Sequence, residues 1–144
     1  MQLSAHFTLA EFTHSQEASR RGIKNDPPPA ILKRLYGTAG QMEVVRTLLG
    51  DVPIIVSSGY RSPKVNALVG GAPTSHHTKG WAVDFTAPAF GDPRAIVQRI
   101  ASSRLLFDQL IYEYGAWVHI SFARSLRLAS SRPEIGRPLA TEWS

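Results

Sequence analysis

The chain has no cysteine. That absence excludes a disulfide-stapled scaffold, a thiolate metal site and a cysteine nucleophile. Any metal must then be held by nitrogen and oxygen donors, and the fold is indifferent to the redox state of its compartment. No apolar run approaches the roughly 18–20 residues of a membrane span. The opening stretch MQLSAHFTLAEF has neither a basic nor an apolar leader region, so synthesis as a cytoplasmic product is the expectation. Internal repeats and low-complexity segments are also missing. Basic residues outnumber acidic ones 16 to 11, for a formal charge of +5. They are scattered, apart from Arg20-Arg21, and form no aromatic-interleaved stripe, so nucleic acid is not an expected partner. The charge suits an anionic surface such as a bacterial wall polymer, or is simply a solvated basic exterior.

What is present fits one domain. A chain of 144 residues with 43% hydrophobic content can bury a proper core. Thr8 with Glu11 three residues later is a capping-box signature opening a short helix over 8–21, broken near Ser15. Asp26-Pro27-Pro28-Pro29 stops and restarts the chain. Ile31, Leu35, Met42, Val45 and Leu49 then recur near helical spacing, which predicts a long helix over 29–49 with Gly37 and Gly40 loosening its middle. Residues 53–57 read as a short strand. Residues 58–80 form a glycine-rich loop system around one helical turn at 63–69, and loops of that length are usually functional or disordered. A strand at 81–85, a helix from Asp92-Pro93 and two strands near 108–114 and 117–122 complete the domain. Helices first and hairpin strands later favour an α+β fold, a small antiparallel sheet with helices packed on one face. The domain is expected to span 1–123. Residues 124–144, with Arg124, Arg127, Arg132 and Arg137, read as a basic tail packed on it or trailing from it.

Strand alternation exposes the chemistry. In Trp81–Phe85, the residues Trp81, Val83 and Phe85 share the core face, and Ala82 and Asp84 share the other. In Trp117–Phe122, Val118, Ile120 and Phe122 are core, while Trp117, His119 and Ser121 face away. Both strands thus carry a polar face over an apolar back. His77 lies in the loop just before the first strand. Two histidines and an aspartate make a three-ligand N/O set, which suits zinc with its fourth position left for water. Taken singly, each has a blander reading: His77 as a loop residue, Asp84 as a cap.

The full string decides between these. Ser75 to Asp84 fits S-x-H-x-x-G-x-A-x-D, five fixed residue types in ten positions. Upstream stand Ser58-Gly59-Tyr60-Arg61-Ser62, Asn66 and Gly70-Gly71; downstream stands Trp117-Val118-His119. In this order and spacing the chain resembles the zinc D-Ala-D-Ala peptidases of hedgehog/DD-peptidase fold, which include D,D-carboxypeptidases, D,D-dipeptidases and phage endolysins. The resemblance runs from about His6 to Phe122, because Phe7–Phe12 and Gly22–Asn25 also look like the family's N-terminal lead-in. It implies that His77, Asp84 and His119 ligate Zn2+, that Arg61 contacts the substrate carbonyl or carboxylate and steadies the oxyanion, and that Ser75 bonds substrate or shapes the metal loop. Trp117 is expected to floor the substrate cleft or to cover the metal. His76 is expected to face solvent or line the cleft, and His6 and His14 to sit on the surface.

The general base is where the pattern departs. Many relatives carry an acidic residue three before the last histidine, and Ala116 stands there. Other branches place a glutamate six before it, which is Glu113. A two-residue loop, Gly115-Ala116, would turn Glu113 to the core face. A three-residue loop, Tyr114–Ala116, would pair it with Trp117 and place it on the face of His119. A carboxylate among Val118, Ile120 and Phe122 is costly, so the odd loop is expected, with Glu113 as base. The implied function is zinc-dependent hydrolysis of peptidoglycan stem peptides or cross-links near D-alanine, in a monomeric, phage-type lysis enzyme acting on the wall after release. The alternative is a non-catalytic zinc-stabilised binding module of the same fold, which Ala116 keeps open.

Overall fold

The computed structural model describes residues 1–122 and the backbone of 134–136. Two short helices come first, α1 (Leu9–Thr13) and α2 (Gln16–Arg20). Thr8 and Glu11 form the reciprocal capping box of α1, and Ser15 both separates the helices and caps the second. The long helix α3 (Pro29–Leu48) starts with proline in its first turn, where a missing N–H costs nothing. It runs unbroken through Gly37 and Gly40, which face open space, because Leu35, Thr38, Ala39, Met42 and Val45 anchor one side in the core. Strand β1 (Ile55–Ser58) and helix α4 (Pro63–Leu68) follow. The glycine-rich stretch also holds a 3-10 turn at His76–Lys79, one element more than the single turn expected there. Then come β2 (Ala82–Thr86), α5 (Pro93–Ala101, capped by Asp92), β3 (Gln109–Glu113) and β4 (Trp117–Ser121).

The sheet order is β1-β2-β4-β3-β5, with β5 at Glu134–Gly136. The pairs β1–β2, β2–β4 and β4–β3 are all antiparallel, as the sequence suggests. The fifth lies parallel to β3 on the outer edge, so part of the expected C-terminal tail joins the sheet. The rest of that tail, with its four arginines, lies outside the described residues.

The back of the sheet carries Val83, Phe85, Leu110, Val118 and Ile120. They pack in one cluster with Leu35, Met42 and Val45 of α3 and Ile96, Val97 and Ile100 of α5. Each such side chain contributes about 1.5–3 kcal/mol on burial, which fixes the sheet's parity. Trp81 departs from the expected pattern. It is only half-buried, with the Arg34 guanidinium 4.6 Å from its ring centre, because it precedes the strand and rests on the surface of α3. Among the described residues, no helix is long and apolar enough to cross a membrane.

The N-terminal lead-in is tied to α3 through one carboxylate. Glu43 accepts from Ser4 Oγ at 2.6 Å and from the His6 backbone N–H at 2.7 Å, and its other oxygen lies 2.7 Å from His6 Nδ1. Partial burial opposes the charge, but the bonds from Ser4 and His6 and the charge of His6 outweigh it and hold the carboxyl below its ordinary range. A carboxyl lowered on folding adds stability that is present above the ordinary carboxylate range and lost as pH falls through the lowered value. Glu43→Gln should therefore cost about 1–2 kcal/mol at neutral pH, read by denaturant unfolding. The difference from wild type should shrink as the solution is acidified through that window.

Candidate metal centre

Registry brings the polar residues together. β2 pairs with β4 so that Asp84 lies opposite His119, and β3 pairs with β4 so that Ile111 lies opposite His119 and Glu113 opposite Trp117. The hairpin loop thus holds three residues, Tyr114–Ala116, with Tyr114 and Gly115 both at positive φ. This is the odd-length loop, and it sets Glu113 on the face of His119, one diagonal step away.

His77 arrives from the other side. Ser75 caps the 3-10 turn by accepting from the His77 N–H, and Gly80 ends the turn in the left-handed region at φ 79°. A Cβ at Gly80 would also stand 3.0 Å from Ile31 Cγ2, so glycine serves both the turn and the packing on α3. The turn is clamped to the segment after β1. A bulge between Val56 and Ser58 redirects that strand as it enters Gly59-Tyr60-Arg61. There the Arg61 N–H donates to His77 O at 3.1 Å, and Gly59 O lies 2.7 Å from His77 Nδ1. Gly59 can hold that place because it lacks a side chain: a Cβ would meet Phe12 O at 2.5 Å. Asn25 closes the arrangement. Its amide donates to Thr13 O and Tyr60 O, and its oxygen accepts from the Ser62 N–H.

The three ligand candidates are buried, His77 at 2%, Asp84 at 8% and His119 at 7% exposure. One atom from each lies within 4.8 Å of the others. Asp84 Oδ1 is 3.1 Å from His77 Nε2 and 2.9 Å from His119 Nδ1. Burial alone would raise the Asp84 carboxyl, but the charges and hydrogen bonds of the two histidines win, and it is held far below the usual carboxylate range. The donor chemistry suits a cation. A carbonyl only accepts, so His77 Nδ1 must carry the proton shared with Gly59 O. A neutral ring then aims its Nε2 lone pair at a carboxylate oxygen. Two acceptors at that spacing are reconciled by a second ring proton or by a positive ion among them. Two imidazoles and a carboxylate form a three-ligand N/O set of the zinc type.

Beside the triad runs a cleft of about 540 Å³, walled by Ser57, Ser58, Arg61, Asp84 and Trp117 and by His14 and Glu17 from the N-terminal segment. Arg61 is half-buried, its Nε has no partner among the described residues, and its terminal nitrogen donates to Ser75 Oγ at 3.4 Å. Burial lowers its pKa while the charge of Asp84 works the other way. Ser75 thus reaches the cleft through Arg61. Glu113 is half-buried and stands next to the wall beside Trp117 rather than in it.

His76 neither lines this cleft nor lies open to solvent. It is half-buried, with Nδ1 2.7 Å from Ser121 Oγ and 3.8 Å from Asp108. His6 is exposed and bonded to Glu43, and His14, though exposed, forms part of the cleft wall. Sequence reasoning missed Gln109, whose Oε1 lies 3.1 Å from His119 Nε2. Its alternation with Ile111 and Glu113 was a signal that could have found it. The bonding role of Asn25 offered none, since its partners come from two distant segments.

Comparison with known proteins agrees with this geometry. A family model described as Peptidase M15 matches residues 5–121. The chain belongs to this family of zinc peptidases. It is also 41% identical over 54 residues to a zinc D-Ala-D-Ala carboxypeptidase of Streptomyces albus G. That match covers 38% of this chain and 21% of the relative's length. The metal these findings and the donor set imply is zinc.

The Gly59 position gives a direct check. Gly59→Ala forces the new methyl onto the Phe12 carbonyl and should cost about 1–3 kcal/mol of stability. It should also weaken zinc binding, since Gly59 O fixes the His77 ring. Thermal melts of the metal-free protein and chelator competition measure the two effects separately.

Proposed function

We propose that the protein hydrolyses a peptide bond in peptidoglycan, in a stem peptide or cross-link near D-alanine. The observation that supports this most is the convergence of His77, Asp84 and His119 on one point beside a cleft that Arg61 also walls. Zinc held by these three would supply Lewis-acid polarisation of the scissile carbonyl and make a water molecule more acidic.

The chain's own residues supply the rest. Glu113 takes the proton from the attacking water, and the oxygen adds to the carbonyl carbon. As the C–N bond breaks, the same carboxyl passes the proton to the leaving amine. The register that sets Glu113 on the face of His119 supports this role and stands against the binding-module alternative raised by Ala116. Arg61 donates to the oxygen on which negative charge gathers, or to a substrate carboxylate. A half-buried guanidinium stabilises such charge better than a neutral donor, and its Nε, unpartnered among the described residues, is a donor in reserve. Ser75 orients Arg61 through its hydroxyl. Trp117 offers the peptide an apolar floor. The net positive charge favours approach to an anionic wall. The reading extends to a phage-type lysis enzyme that acts on the wall after release.

Incubating the zinc-loaded protein with purified peptidoglycan tests the reading. New amino groups are expected. Free D-alanine among the products marks a carboxypeptidase, and opened cross-links mark an endopeptidase. Chelation should abolish release, Glu113→Gln should lower kcat by about 10²–10⁴-fold, and Arg61→Ala by about 10²–10³-fold. Full activity in Glu113→Gln removes that residue as base. No release from any wall type, with zinc still bound, makes the binding module the better reading.

A further inference from the structure

We propose that Gln109 is a positioning residue that selects the tautomer of His119, so that Nδ1 rather than Nε2 faces the metal. The inference rests on the zinc reading of the triad and not on any substrate. Gln109 lies opposite Ser121 in the β3–β4 ladder, which puts it on the face of His119 one diagonal step along. Its Oε1 is 3.1 Å from His119 Nε2. Neighbouring groups are otherwise disposed: Ile111, directly across from His119, is apolar, and Ser121 Oγ is engaged by His76. The carboxamide oxygen therefore accepts the Nε2 proton, which leaves the lone pair on Nδ1, 2.9 Å from Asp84 Oδ1 at the point of convergence.

The other histidine is held in the opposite sense by a different kind of group. His77 gives its Nδ1 proton to the Gly59 carbonyl and offers Nε2. A backbone carbonyl can only accept, so that tautomer is built into the main chain. A carboxamide can present its oxygen or, turned by half a rotation, its NH₂ group. His119 thus has an adjustable partner: an acceptor when Nδ1 must be bare for a metal, a donor when Nδ1 keeps its proton for Asp84. Of the two imidazoles, His119 is the one whose orientation depends on a replaceable side chain.

The test compares wild type with Gln109→Met, which keeps the length but loses the acceptor, and Gln109→Glu, which keeps the acceptor. Zinc affinity is measured by competition with a chromogenic chelator, and the ring protonation of His119 by ¹⁵N NMR of the zinc-loaded protein. Gln109→Met should lose about 10–100-fold in affinity and show a mixed His119 tautomer, whereas Gln109→Glu should bind at least as tightly as wild type through Nδ1. If Gln109→Met does not fold, Gln109→Asn, one methylene too short to reach Nε2, takes its place with the same expected loss. Unchanged affinity with Nδ1 still coordinating in Gln109→Met overturns the proposal. So does an equal loss in Gln109→Glu, and so does a fall in metal-free melting temperature with unchanged affinity of the folded protein. A wild type that binds zinc through His119 Nδ1 but cleaves no peptide supports this inference and removes the hydrolase reading. A wild type that binds no zinc overturns both.

Discussion

A carboxylate sealed between two imidazoles is the constraint around which this small domain is arranged. Asp84 has little contact with water, so its charge must be met by the histidines at 3.1 and 2.9 Å or by an ion among them. An isolated buried carboxylate would be expensive enough to neutralise itself by taking up a proton. Here the balance goes the other way. A neighbour stands behind each ring on the side away from that oxygen: the Gly59 carbonyl at His77 and the Gln109 carboxamide at His119.

The scaffold does this with little material. The core cluster fixes the parity of β2 and β4, which puts Asp84 and His119 on one face, and the β2–β4 register sets them side by side. His77 needs more help because no ladder holds it. Its turn is shaped by Ser75 and Gly80, and it is pinned by two bonds to the segment following the β1 bulge. That segment is in turn fastened by Asn25 to the end of α1. The same fastening holds Thr13, next to His14 of the cleft wall, so one staple serves both the metal loop and part of that wall.

Much of this was legible in the sequence because it depends on local period. Alternation in Trp81–Phe85 and Trp117–Phe122 revealed the polar face, and the cost of burying Glu113 among Val118, Ile120 and Phe122 selected the three-residue hairpin. The long helix was readable from Leu35, Met42 and Val45, and its glycines proved harmless because they lie on the solvent side. What escaped depends on distance along the chain. The partners of Asn25 lie 12 and more residues away, and the clash that requires glycine at position 59 is with a carbonyl at position 12. Trp81 was misjudged because alternation treats it as a strand residue, whereas a cation from α3 covers its ring at the surface. The parallel edge strand at 134–136 carried no pattern long enough to be seen.

The ligands differ in what holds their backbones, and this gives the site an order of disassembly. Asp84 and His119 sit on adjacent strands of a ladder, β4 being flanked on both sides, where opening requires the sheet itself to part. His77 rides on a short turn whose release breaks only a few bonds, and such segments open at much lower free energy than core strands. Zinc bound by these three would be held as in a vice with two fixed jaws and one hinged one. Its residence time would follow how often the loop lifts, while the resting affinity would be set by all three ligands together. Equilibrium binding and exchange rate can thus drift apart, one through the sheet and the other through the loop, without any change of ligand.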